Sequence, residues 1–186
     1  MHKIILASQS PRRKQLLQWA EINFDVIVSE TDESFPPELS FTDAAIHIAR
    51  NKALAIAPKN KEQLPVLAAD TIVVCNHTII GKPKSREEAI QILQRLSGNT
   101  HQVITGVVII KKDKEIAFSD TTSVIFNPLT TDQIIFYVDK YKPYDKAGAY
   151  AIQEWIGVVG IKSIEGDFYN VMGLPVSRVV AELNKF

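Results

Sequence analysis

The chain has 186 residues, 46% hydrophobic and 23% charged, enough for one core or for two small lobes sharing one sheet. Lys+Arg and Asp+Glu both number 21, and this zero net charge argues against a general nucleic-acid binder, which needs excess cation, though not against a small anionic ligand. The one cysteine, Cys75, excludes an intrachain disulfide and fits a reducing compartment; within Ile72-Val73-Val74-Cys75 it reads as a small buried hydrophobe.

The opening run Met1-His2-Lys3-Ile4-Ile5-Leu6-Ala7-Ser8 is too short for the apolar core of a signal peptide, and Pro11-Arg12-Arg13 follows at once. No stretch approaches the ~18 apolar residues of a membrane span. A soluble, cytoplasmic protein is therefore expected, with neither nucleic acid nor membrane as partner.

Residues 3–8 read as a short buried strand. Ser10-Pro11 reads as an N-cap with proline at the first helical position, and Leu16, Leu17 and Ala20 give that helix an apolar side. Phe24, Val26 and Val28 alternate as in a half-buried strand. Thr42 and Asp43 are candidate caps for a helix through Ala57, ended by Pro58, with Ala45, Ile46, Ala49, Ala53, Leu54 and Ala57 on one face. Its small residues suggest close packing on a sheet.

The run 66–74 is apolar on both parities and reads as a central strand, followed by a short strand at 78–80. Ser85 and Glu88 have capping-box spacing for a helix to Leu96, stopped by Gly98. Val103–Lys111 and Glu115–Phe126 read as a long hairpin around Lys112-Asp113-Lys114. Thr130 or Thr131 caps a helix through about Lys140, residues 142–149 read as loop, Val158–Ile164 as a last strand, and Leu174-Pro175 as the opening of a helix to Asn184. The predicted class is α/β with a mixed sheet, with a ligand cleft between two lobes.

Five segments carry candidate chemistry. Ser8-Gln9-Ser10-Pro11-Arg12-Arg13 joins a strand end to a helix start, where free N–H groups, the helix dipole and arginine forks favour phosphate; a capped helix with solvated arginines is the plainer alternative. Asp70-Thr71 places a carboxylate inside an apolar strand, which suits a general base or metal ligand, or an aspartate bonded to loop amides. Glu30-Thr31-Asp32-Glu33 offers carboxylates for Mg²⁺, or a solvated acidic loop. Lys52, Lys82 and Lys146 lie near turns or helix ends, and His101 and Thr105 are weaker candidates. Gly148–Gln153 and the later Gly166–Pro175 segment combine turn glycines with an amide, Gln153, able to read a base edge. Together the five supply anion donors, carboxylates, cations and an amide reader, a set suited to hydrolysing a nucleoside triphosphate.

These segments, in order, resemble the Maf family of nucleotide pyrophosphatases, once labelled septum-formation inhibitors. The resemblance rests on Leu6–Arg13, Glu30–Glu33, Asn51-Lys52-Ala53, Ala68–Thr71, Gly81-Lys82-Pro83, Ser97-Gly98 with His101, Thr105-Gly106, Asp145–Tyr150 with Ile152-Gln153, and Asn170–Pro175, and so covers nearly the whole chain. It implies a single Maf-like domain over 1–186, with a mixed elongated sheet flanked by helices and two lobes around a central cleft, related to the inosine triphosphate pyrophosphatases. It implies metal-dependent release of pyrophosphate, with Mg²⁺ or Mn²⁺ as cofactor. Asp70 matches the proton acceptor that activates water, Glu33, Lys52 and Lys82 match charged cleft positions, and Glu33 with Asp70 would hold the metal in part. Ser8 and Arg13 match the phosphate-loop positions. Arg12, Thr71 and Gln153 match the trio that separates the branch acting on dTTP and UTP from the branch acting on 7-methyl-GTP.

The expected activity is therefore hydrolysis of dTTP and UTP, with modified pyrimidine nucleotides as further substrates. The Gln153 amide can pair with the O4 and N3–H edge common to uracil and thymine, whereas cytosine reverses that pattern. Competing readings are a pyrophosphatase for damaged nucleotides in general and a non-catalytic regulator of cell division. Aromatic residues such as Trp155 and Tyr144 are expected at the surface, where a homodimer interface is one use for them.

Overall fold

Helices and strands alternate along a computed structural model that describes residues 3–186; Met1 and His2, which open the N-terminal run, lie outside the described residues. The strands are β1 (Ile4–Leu6), β2 (Phe24–Val26), β3 (Val66–Cys75), β4 (Thr78–Ile80), β5 (Thr100–Lys111), β6 (Lys114–Phe126) and β7 (Ile161–Glu165). They form one seven-stranded sheet in the order β2-β1-β3-β5-β6-β7, with β4 pairing β3. β1 runs parallel to both β2 and β3, while β4 on β3 and β7 on β6 are antiparallel, so the sheet is mixed as expected. The helices are α1 (Pro11–Trp19), α2 (Phe41–Ile56), α3 (Arg86–Leu96), α4 (Thr131–Tyr141), α5 (Trp155–Gly160), α6 (Phe168–Met172) and α7 (Val176–Leu183).

Contacts divide the described residues into two compact units: residues 3–71, 104–120 and 173–186, and residues 72–103 and 121–172. In the first unit, α2 lies on one layer of the sheet. Ala49, Ala53 and Ile56 pack with Ile5, Ala7, Val66, Ala68, Val108 and Ile110. The alternating positions of β1, β3 and β5 in that list follow from the period of two along a strand. Gly106 makes the close approach possible: a Cβ there would stand 2.2 Å from the Ala45 carbonyl carbon and 2.4 Å from the Ile46 nitrogen. Any larger residue would push α2 off the sheet.

Ser10 caps α1, its hydroxyl accepting from Arg13 N–H with Pro11 in the first turn, and Leu16 and Leu17 are buried, as the sequence predicts. The α2 cap, however, is Ser40, whose Oγ accepts from Asp43 N–H at 3.1 Å; Thr42 and Asp43 are inside the helix. The buried face is accordingly rotated to Ala44, Ala45, Ile48, Ala49, Ala53 and Ile56, leaving Leu54 51% exposed, and a 3-10 turn at Ala57–Lys59 carries the chain past Pro58. β2 ends at Val26, and Val26 and Val28 are both exposed, because β2 is an edge strand only three residues long.

In the second unit, Ser85 Oγ accepts from Glu88 N–H at 3.1 Å, but the Glu88 carboxylate reaches one residue further back, to Lys84 N–H at 2.7 Å. The reciprocal capping box occurs instead at Thr130 and Gln133 of α4. The expected last strand over 158–164 is corrected: residues 155–160 are helical and β7 begins at Ile161. An apolar Val158-Val159 pair resembles strand sequence, yet Val158 is 83% exposed on α5. Trp155 is half-buried, its ring 4.9 Å from that of Phe136, so it serves the packing of α5 on α4, while Tyr144 is exposed. Within the Gly166–Pro175 segment, Phe168–Met172 form the short helix α6. Cys75 is buried, as expected. No helix among the described residues is long and apolar enough to cross a membrane.

Candidate active site

The strongest charge constellation lies in the first unit. Lys52, three turns into α2, donates to Asp70 Oδ1 at 2.6 Å and to Glu33 Oε1 at 2.7 Å. The Lys52 and Asp70 side chains are 17% and 14% exposed, against 56% for Glu33, so one ammonium holds a mostly buried and a mostly exposed carboxylate together. An aspartate inside an apolar strand would be costly alone; Lys52 supplies the compensating charge. Of the acidic run 30–33, only Glu33 joins this centre. Asp32 turns to Ser34, accepting from its N–H at 2.9 Å and its hydroxyl at 2.6 Å, and those bonds hold its carboxyl below the usual range.

Arg13 forms a second centre. Its Nε donates to the Gly173 carbonyl at 2.8 Å, one terminal nitrogen to Ser8 Oγ at 3.2 Å and the other to Thr71 Oγ1 at 3.0 Å. Arg13 is buried, and burial pushes its guanidinium below its ordinary range, with the Asp70 charge acting in the opposite direction. Every acceptor in these bonds is neutral. Thr71 Oγ1 is also 2.9 Å from Thr105 Oγ1 and 3.4 Å from the Gly173 carbonyl, so its single proton goes to one of those two. Ser8 Oγ additionally accepts from Ser10 N–H at 3.2 Å. The fold thus brings Ser8, Arg13 and Thr71 together, with the fork of Arg13 spent on bracing the loop. Arg12 beside it is half-buried and less enclosed.

Asp70 and Thr71 are consecutive on β3, so their side chains take opposite faces. Asp70 shares the α2 face with Val66 and Ala68, which explains how Lys52 reaches it.

Lys82 and Gln153 belong to the second unit, and both are exposed. The backbone before Lys82 is pinned by Gly148 N–H donating to the Gly81 carbonyl at 3.2 Å. Gln153 stands in a turn closed by Glu154 N–H donating to the Ala151 carbonyl at 3.1 Å. Sequence reasoning gave little weight to what lies beneath this turn. Lys146 is buried with Asp145 Oδ1 at 2.9 Å and Glu154 Oε1 at 3.5 Å, and the Tyr137 hydroxyl donates to Glu154 Oε2. His101 is buried against Tyr150, Nε2 to hydroxyl 2.7 Å, a polar pair inside an aromatic cluster with Phe126. Burial pushes the His101 imidazole down to about 4.

Among the described residues no group of three or more His, Cys, Asp or Glu is placed to hold a metal. The chemistry of the Glu33–Asp70 pair still fits Mg²⁺ or Mn²⁺. Mg²⁺ commonly uses one or two carboxylates and takes its other oxygens from water and substrate phosphates, and both carboxylates already converge on one cation, the Lys52 ammonium.

The fold and site define a mixed α/β protein in which a lysine joins a carboxylate of a central strand to one from the loop before α2, beside an arginine-braced strand-to-helix loop. The chain belongs to the family described as Maf-like protein, whose model matches residues 3–186. It is 49% identical over 186 residues to a dTTP/UTP pyrophosphatase of Parabacteroides distasonis, covering 100% of this chain and 96% of that one. It is 50% identical over 182 residues to a dTTP/UTP pyrophosphatase of Cytophaga hutchinsonii, covering 98% of this chain and 83% of that one. Among solved structures, the Staphylococcus aureus Ham1 protein aligns with 97% of this chain and 100% of that chain at 20% identity and a TM-score of 0.49, too loose a likeness to argue from.

Proposed function

We propose that this chain hydrolyses dTTP and UTP to the monophosphate and pyrophosphate, acting in the cytoplasm with Mg²⁺ or Mn²⁺. The observation that carries the reading is the Lys52 ammonium held between Asp70 and Glu33, in a chain whose close relatives are named dTTP/UTP pyrophosphatase. Its lone buried cysteine supports the reducing compartment.

Asp70 is the general base. Lys52 engages its Oδ1, which orients the carboxylate, and Oδ2 is the oxygen assigned to water. The water oxygen bonds to the α-phosphorus as its proton passes to Asp70. The bond from that phosphorus to the bridging oxygen breaks, and pyrophosphate leaves with the electron pair. Lys52, Lys82 and Arg12 offset the charge that develops on the phosphate oxygens. Glu33 and Asp70 would hold the divalent cation, which when bound supplies charge withdrawal from the phosphates. Ser8, Thr71 and Arg13 shape the loop that receives the phosphates, and Gln153 reads the pyrimidine O4 and N3–H edge.

Pyrophosphate release from dTTP, UTP, CTP, GTP and 7-methyl-GTP, with Mg²⁺ or Mn²⁺ and with chelator, tests the reading. Cleavage of dTTP and UTP above the others, lost with chelator and lost in Asp70→Asn, is expected. Asp70→Asn retaining most of the turnover would refute the base assignment, and a folded protein that cleaves none of the five would refute the activity.

A further inference from the structure

Gln153 lies on a turn whose two ends are fastened from below by buried polar groups. The turn is residues 151–154, closed by Glu154 N–H donating to the Ala151 carbonyl at 3.1 Å. At its first end, Ala151 N–H donates to the Tyr137 hydroxyl at 3.2 Å. At its last end, the same hydroxyl donates to the Glu154 carboxylate. One phenol thus ties together the residues two before and one after Gln153. Tyr137 is fully buried on α4, and burial, followed by the bond to Glu154, raises its phenol far above its ordinary range, so its proton stays in place.

Lys146 completes the clamp. It is 8% exposed, and its ammonium lies 3.5 Å from the other Glu154 oxygen while holding Asp145 at 2.9 Å. The carboxylate of Glu154 therefore meets a phenol on one oxygen and a cation on the other. Behind the turn, α5 closes in so tightly that a Cβ on Gly157 would stand 1.7 Å from the Ile152 carbonyl oxygen. Gly157 N–H also donates to the Glu154 carbonyl at 2.9 Å. Within this frame Gln153 is the exposed residue: Ala151 and Ile152 are buried and Glu154 is half-buried. A flexible amide held on a rigid turn loses less freedom on meeting a ligand, and buried groups that fix its backbone fix the direction in which its donor and acceptor point.

We propose that Tyr137, Glu154 and Lys146 are positioning residues that hold Gln153 on a clamped turn and so set the enzyme's choice between pyrimidine bases. The inference rests on the reading of Gln153 as the base-contacting residue. On this proposal the clamp governs how the base is accepted and leaves bond cleavage to Asp70. Glu154 carries the coupling, because it is both the residue after Gln153 and the carboxylate that accepts from Tyr137 and pairs with the Lys146 ammonium.

The test is steady-state kinetics of Tyr137→Phe, Glu154→Gln, Glu154→Ala, Gln153→Ala and the Tyr137→Phe/Gln153→Ala double variant on dTTP and CTP. Tyr137→Phe keeps the ring and removes the tie. It is expected to lower the dTTP/CTP ratio of kcat/KM at least fivefold, through a higher KM for dTTP with kcat changed less than twofold. Glu154→Gln keeps an acceptor for Tyr137 and is expected to retain more of the ratio than Glu154→Ala. The double variant is expected to be no less selective than Gln153→Ala alone. An unchanged ratio in both Tyr137→Phe and Glu154→Ala, alongside a lowered ratio in Gln153→Ala, overturns the clamp while leaving the Gln153 reading intact. An unchanged ratio in Gln153→Ala overturns the Gln153 reading and the clamp with it. If Tyr137→Phe does not fold, the comparison of Glu154→Gln with Glu154→Ala decides alone, equal ratios refuting the proposal.

Discussion

Replacing Arg13 by lysine separates two roles that one arginine can play. If Arg13 is a brace, its worth lies in three divergent donors that meet Gly173 O, Ser8 Oγ and Thr71 Oγ1 at 2.8, 3.2 and 3.0 Å. Lysine keeps the charge but carries its donors on one nitrogen, so it can satisfy one of the three acceptor sites well. Bonds from a charged donor contribute about 1.5–3 kcal/mol each. Two are lost, but the hydroxyls recover part of the difference, since Thr71 already meets Thr105 and Ser8 already accepts from Ser10. A net loss of about 3 kcal/mol is expected, which at this chain length lowers Tm by roughly 10 °C. Thermal and urea unfolding of Arg13→Lys, Thr71→Val and the double variant measure it. The Arg13–Thr71 coupling should be about 0.5–3 kcal/mol, as for residues in one hydrogen-bond network. A Tm unchanged within a degree or two, zero coupling and a large loss of turnover would show Arg13 acting on the phosphates directly and would refute the brace.

Two further predictions address charge. Lys52→Met removes the cation that now holds Glu33 and Asp70 together. Mn²⁺ affinity without nucleotide, read by electron paramagnetic resonance, should rise about tenfold or more, since a unit charge ~4 Å from a doubly charged ion contributes about 2 kcal/mol even in bulk water; unchanged affinity would place the metal elsewhere. His101 supplies the pH prediction. Its folded value of about 4 lies below the unfolded 6.5, so the unfolded chain binds more protons as pH falls below about 6.5. Stability from this group is full above that pH and is lost toward pH 4, amounting to about 2 kcal/mol lost by pH 5. Urea unfolding of wild type and His101→Gln from pH 7 to pH 5 should give a flatter dependence in the variant, and parallel curves would refute the assignment.

The legible parts of the sequence are those governed by short-range rules. The Ser10-Pro11 cap, the both-parity apolar run of β3 and the hairpin of β5 and β6 each follow from neighbours a few residues apart. The α2 cap is less legible because Ser40, Thr42 and Asp43 all have capping side chains, and their mutual bonds, 2.9 Å to Thr42 and 2.6 Å to Asp43 from Ser40 Oγ, form only once the helix start is fixed. The Val158 error has a different source. Two β-branched residues favour a strand locally, but Gly157 and Gly160 let α5 pack where a strand would not fit. At the site, Glu33, Lys52 and Asp70 are separated by 19 and 18 residues in sequence and become one centre only through the fold. The engagement of Arg13 is not legible at all, because its carbonyl acceptor, Gly173, lies 160 residues away.

The dipeptide Asp70-Thr71 explains why two different electrostatic solutions coexist within one unit. Strand alternation sends Asp70 to the layer covered by α2, where helix spacing lets Lys52 project from the same side as Ala49 and Ala53. There the buried charge is answered by charge. The same alternation sends Thr71 to the other layer, where α1 delivers Arg13 from the loop after β1, and neutral oxygens answer the cation. Arg13 also sits within the field of Asp70, which works against the cost of burying the guanidinium. The ionic centre and the neutral brace are therefore joined through one strand of backbone. A shift of β3 by one residue would exchange the two faces and destroy both at once. Gly106, the point of closest approach between α2 and the sheet, lies next to Thr105, so one segment of β5 sets both the height of Lys52 over Asp70 and the hydroxyl that Thr71 meets.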